Sequence, residues 1–276
     1  MDTLYDRLLA LQRLPTAYGE WAAYRAALTD FAVGHTAGDG SLLVVGAGAC
    51  NDLDLQRLAA HFLTVTLLDR DGAAMDAGLA RQGVPPGRIR TVTADLLGVP
   101  DGAYREMCDG LLGKLQRQRR LGQADPAALT ELFCAAMNAM LENRKPDACA
   151  ERGLRADTVL CCGVHSQLLS MFPQMAGVYA RYAAMDVNRI EDAVRRWNAV
   201  IMGELNARLL RMAGSGLILG LEEGRLGMEG GVEGAAEALL DLPRLPAKLV
   251  EEAKLLWPLD RSQGKIYSMR LVLLRT

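Results

Sequence analysis

The chain has 276 residues, 50% of them apolar, which is enough to bury a substantial core in one elaborated domain. Its 31 basic and 33 acidic residues leave a formal charge of −2, excluding any global attraction to nucleic acid or anionic lipid. The opening "MDTLYDRLLALQRLPTAYGEW" carries Asp2, Asp6, Arg7 and Arg13 where a signal peptide needs an unbroken apolar stretch, and every long apolar run in the chain is interrupted by charge or glycine.

In chain order, the first forty residues read as helices, with Trp21, Tyr24, Leu28 and Phe31 recurring on one face. Residues 1–38 are therefore expected to form a helical cap on a domain spanning 39–276. "SLLVV" is a short apolar run bounded by turn residues, as in a strand buried on both faces of a parallel sheet. It enters the turn Gly46-Ala47-Gly48-Ala49-Cys50-Asn51 and then a helix through "DLDLQRLAAHF". "LTVTLLD" predicts a second strand ending on Asp69, "GAAMDAGLARQG" a helix, and "RIRTVTADLLG" a third strand.

This alternation argues for a doubly wound α/β sheet with right-handed crossovers. Two helices interrupt it within an insertion at 101–150. Asp125 is placed to cap the second and Pro126 to occupy its first position. "ADTVLCCGVHSQLL" predicts the fourth strand and its exit loop. A second helical insertion at 167–213 follows, its longer helix capped by Asn188. "GSGLILGLEEG" is the fifth strand, and "GRLGMEGGVEG" a glycine-rich loop. The tail "PAKLVEEAKLLWPLDRSQGKIYSMRLVLLRT" reads as a helix and an antiparallel hairpin turning at Ser262 to Gly264.

A glycine turn between strand and helix lets the backbone approach a ligand while the helix presents free N–H groups. A dinucleotide fold needs a third glycine three positions after Gly48, for packing beneath a pyrophosphate, and this chain has Asn51 there. The strand order from about residue 40, the closing hairpin and the acids at the strand ends together resemble the class I methyltransferases that use S-adenosylmethionine. That resemblance implies a mostly parallel, seven-stranded sheet with an antiparallel C-terminal hairpin and extra helices over the ligand edge.

The resemblance also implies a set of contacts. Gly46, Ala47 and Gly48 would lie along the methionine part of S-adenosylmethionine. Asp69, with its neighbour Arg70, would meet the ribose, and Asp95 and Leu96 the adenine. The chain departs from the family pattern twice, with Val44 in place of an acid before the first glycine and Cys50 in place of a third glycine. Asn51 or Asp52 would then anchor the cofactor's amino group, the other reading of either residue being a helix cap.

Methyl transfer asks the protein to align a nucleophile and, where needed, take its proton. His165 in the loop after strand four suits a general base, with hydrogen bonding to a neighbouring loop as its alternative role. Ser166, Gln167 and Glu222, together with Tyr18 and Trp21 of the cap, are candidates to contact the acceptor. Their alternatives are capping, a solvated loop and a packed aromatic face. Glu223 belongs with Glu222 in this reading.

The six cysteines, at 50, 108, 134, 149, 161 and 162, show no CxxC pairing, so free thiols and a cytoplasmic setting are expected, with no metal site. A soft-metal site at Cys50, Cys161 and Cys162 is opposed by the opposite facing of adjacent strand residues. The function expected is methyl transfer to an O, N or S atom of a small-molecule or peptide acceptor. The alternatives are a non-catalytic binding protein of the same fold and an NAD(P)-dependent oxidoreductase. Neither nucleic acid nor membrane is an expected partner, and the helical faces leave a homodimer open.

Overall fold

The computed structural model describes residues 4–100, 102–123, 125–146 and 153–275. Helices α1 (Leu4–Leu11), α2 (Ala17–Glu20) and α3 (Ala22–Gly34) precede β1 (Ser41–Val45). Then come α4 (Leu55–His61), β2 (Thr64–Asp69), α5 (Gly72–Arg81) and β3 (Arg90–Thr93). The inserted helices α6 (Ala103–Arg120) and α7 (Pro126–Glu142) lead to β4 (Ala156–Cys162). Beyond it lie α8 (Met171–Ala183), α9 (Val187–Met212), β5 (Ala213–Arg225), α10 (Ala235–Asp241), β6 (Lys248–Asp260) and β7 (Lys265–Arg275).

The strands form one sheet in the order β3-β2-β1-β4-β5-β7-β6, with β7 antiparallel to both neighbours and the rest parallel. This is the strand order and sense of the class I methyltransferase fold. β1 is at its centre because it is apolar on both sides. Leu42 and Val44 pack with Tyr24, Leu28 and Leu58 on one face, while Leu43 and Val45 pack with Phe133, Phe172 and Leu205 on the other. The cap covers the first face through α3, and the insertion helices cover the second.

Local signals place several elements. Asp54, Asp71 and Asp125 cap α4, α5 and α7 by accepting the backbone N–H of Arg57, Ala74 and Ala128, and Pro126 opens α7. Three expectations are corrected. The cap of α9 is Asp186, which accepts from the Arg189 N–H, and Asn188 lies within the first turn. The third strand is only Arg90–Thr93, because Asp95 folds the chain into a turn by accepting the N–H of Leu97. The tail has no helix at "KLVEEAKLL". Those good helix formers are drawn into β6 by pairing with β7 along its length, while the helix of this region is α10, further upstream.

Candidate ligand and acceptor site

Register brings the carboxyl ends of the parallel strands to one edge. Val45 pairs with Leu68 and Cys161, Asp69 with Thr93, and Cys162 with Gly220. Ligands of open α/β sheets bind at this edge. Gly46 leaves β1 at φ 77°, where a Cβ would fall 2.1 Å from a Val164 methyl carbon, so only glycine lets the turn lie against the β4 loop. Gly48 is also left-handed, at φ 48°, and the space above its Cα is open. Cys50, standing where the family pattern has a third glycine, takes φ 51°. The position keeps the left-handed conformation that a glycine would adopt freely, and the chain carries it with a buried thiol.

Asp69 braces this loop. One carboxylate oxygen accepts the Gly48 N–H at 2.8 Å and the other the Asp71 N–H at 2.9 Å, while burial pushes its pKa above the usual carboxylate value. Each oxygen retains a lone pair for a hydroxyl donor. On the next strand, Asp95 uses one oxygen for the turn and the other for Arg70 at 3.5 Å. Arg70 donates to the Tyr5 hydroxyl at 2.7 Å and lies over the Tyr104 ring, which stacks on Tyr5. Helix α1 thus reaches the β2–β3 end of the edge, where Leu96 is half-buried. Sequence reasoning missed Tyr5 and Tyr104, because their proximity to Arg70 arises only from the packing of α1 on α6.

At the start of the helical segment, Asn51 offers its carbonyl to Arg25 at 2.9 Å. The half-buried Asp52 has its pKa pushed up to about 6, chiefly by burial, with Arg25 pulling the other way. Tyr18, expected at the acceptor, lies between two guanidinium groups, with Arg25 3.9 Å and Arg81 4.3 Å from its ring centre. That placement makes it a spacer between α3 and α5.

The β4 exit separates the remaining candidates. His165 is 1% exposed, with Nε2 3.0 Å from Asn206 Oδ1. Asn206 donates to the Ala238 carbonyl and the Asp241 carboxylate. Burial lowers the His165 pKa to about 4, so the imidazole is neutral at pH 7, a weak base locked between the β4 loop, α9 and α10. Gln167 is exposed and its backbone closes the loop turn. Ser166 faces inward and donates to Glu222 Oε1 at 2.5 Å. Glu223 does not join it, since Lys254 and Ser268 hold its carboxylate at 3.0 and 3.1 Å.

Glu222 is 1% exposed, its Oε2 has no hydrogen-bond partner among the described residues, and burial raises its pKa. On the same face of the sheet, Tyr24 Oη lies 3.0 Å from Cys162 Sγ. Burial first, then the nearby Asp52 and Glu222, push both groups well above their ordinary values; the Cys162 thiol adds to the shift of Tyr24, whereas the hydrogen bond from Tyr24 pulls Cys162 the other way. Trp257 stacks on Tyr24 at 5.8 Å and meets Trp21 edge-on at 5.1 Å, with Tyr267 at 6.2 Å. Gly163, at φ 65°, makes room for the Trp257 ring, which comes within 3.0 Å of where a Cβ would be. Trp21 donates its indole N–H to the Leu259 carbonyl. Trp257 and Tyr267 are further residues that the sequence reading left out, because they come from the terminal hairpin.

Among the described residues there is no group of three or more His, Cys, Asp and Glu side chains able to hold a metal ion, and no helix long and apolar enough to cross a membrane. The described cysteines 50, 108, 134, 161 and 162 are all free thiols, and Cys149 lies outside the described residues.

No protein-family model matches the chain, and no curated protein matches it. Solved structures do resemble it. One is the N-methyltransferase NodS from Bradyrhizobium japonicum WM9 in complex with S-adenosyl-L-homocysteine, at 12% identity over 100% of this chain and 89% of the other, TM-score 0.46. Another is magnesium protoporphyrin IX methyltransferase from Synechocystis PCC 6803 with bound S-adenosylmethionine, at 12% identity over 99% and 84%, TM-score 0.43. A third is precorrin 8w decarboxylase from Methanobacterium thermoautotrophicum, at 13% identity over 92% and 89%, TM-score 0.39.

Proposed function

We propose that this protein is an S-adenosylmethionine-dependent methyltransferase acting on a small-molecule acceptor in the cytoplasm. The observation that carries the reading is the joined geometry of the first two strand ends, where the left-handed glycine turn is held by the Asp69 carboxylate through the Gly48 N–H. That turn fits the cofactor: the space above Gly48 is open, Asp69 keeps lone pairs for two hydroxyl donors, and Asp52 stands at the loop's end for an ammonium group. Asp95 and Leu96 would meet the adenine, with Arg70 closing over its edge.

Bound there, S-adenosylmethionine supplies a methyl carbon on a sulfonium, open to in-line attack by a nucleophile. The chain's own groups orient that nucleophile and receive its proton. Both Glu222 Oε2 and His165 Nδ1 are uncommitted, and Glu222 suits this work better because burial raises the basicity of its carboxylate while lowering that of the imidazole. Tyr5, Trp21 and Tyr24 of the cap border this edge and would shield it from water. Asn51 in place of the packing glycine disfavours a dinucleotide.

The test is calorimetric titration with S-adenosylhomocysteine of the parent protein and of Asp69→Asn, which keeps the side chain's shape. Submillimolar binding weakened at least about tenfold by the substitution is expected, the cost of one charge-assisted hydrogen bond. A folded protein that binds NADH and not S-adenosylhomocysteine would overturn the reading.

A further inference from the structure

Resting on the methyltransferase reading, we propose that the acceptor is an amine, received as its ammonium ion by Glu222 beside the aromatic cluster of Trp21, Tyr24, Trp257 and Tyr267. Glu222 is the least compensated acid of the ligand edge. Its neighbour Glu223 has Lys254 at 3.0 Å, whereas no cationic side chain pairs with Glu222 among the described residues. A buried carboxylate without a counter-cation is costly, and one oxygen that accepts nothing adds to that cost. A ligand that brings both a positive charge and N–H donors removes both costs together.

The groups facing Glu222 agree with such a ligand. From the β4 loop comes the Ser166 hydroxyl on Oε1, while the Cys162 thiol of β4, the Tyr24 hydroxyl of α3 and Tyr267 of β7 lie near enough to feel its charge. Arg225, which also acts on Tyr267, turns its guanidinium to the Gln263 and Gly264 carbonyls, so none of these groups brings Glu222 a paired cation. An anionic acceptor would meet the Glu222 carboxylate there, while an ammonium group is favoured by that carboxylate and by the surrounding rings. An alcohol gains less, because a carboxylate is too weak a base to take its proton, whereas an alkylammonium gives its proton up far more readily. In the step itself one ammonium N–H bond breaks, its electron pair stays on nitrogen as the nucleophile, and the proton passes to Glu222 Oε2. After methyl transfer Glu222 returns that proton to water, and the product leaves as a methylammonium ion.

The experiment uses the full chain and its Glu222→Gln variant, with circular dichroism and S-adenosylhomocysteine affinity as checks of folding. Each protein, saturated with S-adenosylhomocysteine, is titrated with 2-phenylethylamine and, as the neutral isostere, 2-phenylethanol. The expected result is that the amine binds the parent and binds Glu222→Gln at least about thirtyfold more weakly, as for removal of one member of a buried charge pair, while the alcohol does not distinguish them. Equal amine affinity in both proteins, preference for the alcohol, or no amine binding at millimolar concentration overturns the proposal. Failure of S-adenosylhomocysteine to bind the parent strikes the methyltransferase reading instead. The amine titration is then read without it, and its dependence on Glu222 still decides the present inference.

Discussion

Ionising Asp52 should cost the folded protein stability, and the size of that cost follows from its surroundings. Its carboxyl is pushed up to about 6 in the fold from the usual 3.8, because burial penalises the charge more than Arg25 relieves it. A raised folded-state pKa means that the native protein holds the proton more tightly. The contribution is therefore fully present below about pH 4 and is lost as pH rises through about 6. The two-unit difference corresponds to at most about 3 kcal/mol. Urea unfolding of the parent and of Asp52→Asn from pH 4 to 7.5 measures it, with Asp52→Asn gaining on the parent across that window. The same linkage acts on the cofactor: if the Asp52 carboxylate receives an ammonium group, S-adenosylhomocysteine binds the parent more tightly above pH 6 than below, and Asp52→Asn flattens the profile. A stability difference that stays constant from pH 4 to 7.5 would refute the reasoning, since it would mean that Asp52 titrates alike in both states.

His165 has the opposite sign. Its pKa falls to about 4 in the fold, so its contribution is present above about 6.5 and is lost as pH falls towards 4. His165→Gln should remove about 3 kcal/mol of that acid sensitivity in the same unfolding series, and an unaltered acid limb would argue that the imidazole is solvated. Gly46→Ala should cost at least about 2 kcal/mol, because the new Cβ meets both a φ of 77° and the Val164 methyl group. Calorimetry should record this as a fall in Tm of about 5 °C or more, and an unchanged Tm would mean that the turn can be rebuilt.

The strands buried on both faces were readable from sequence because nothing but a central parallel strand explains "SLLVV" and "ADTVLCC" between turn residues. The caps at Asp125 and Pro126 were readable because they act within one turn of chain. Misreading β6 as a helix has the same origin, since its local preference is helical and only pairing with β7 overrides it. At the edge, the glycine turn and Asp69 lie 21 residues apart and their joint placement was legible from strand spacing. Residues whose role depends on a distant partner were not. Glu222 owes its half-filled carboxylate to Ser166, 56 positions away, and His165 owes its confinement to Asn206, 41 positions away. A lone histidine after a strand carries no sign of such a partner, and for that reason the sequence left a base and a loop contact as alternatives.

The bond from the Trp21 indole to the Leu259 carbonyl joins positions 238 apart, and Arg275 likewise reaches the His35 carbonyl across 240. Because Trp257 and Tyr267 come from the hairpin, the aromatic wall cannot be assembled before residues 248–275 have been made. The cap must wait, its apolar face uncovered, until β6 and β7 arrive. Contacts of this separation slow folding and lengthen exposure to aggregation. The aromatic wall beside Glu222 is thereby tied to synthesis of the hairpin, and a truncated product lacking it would be unable to form that wall.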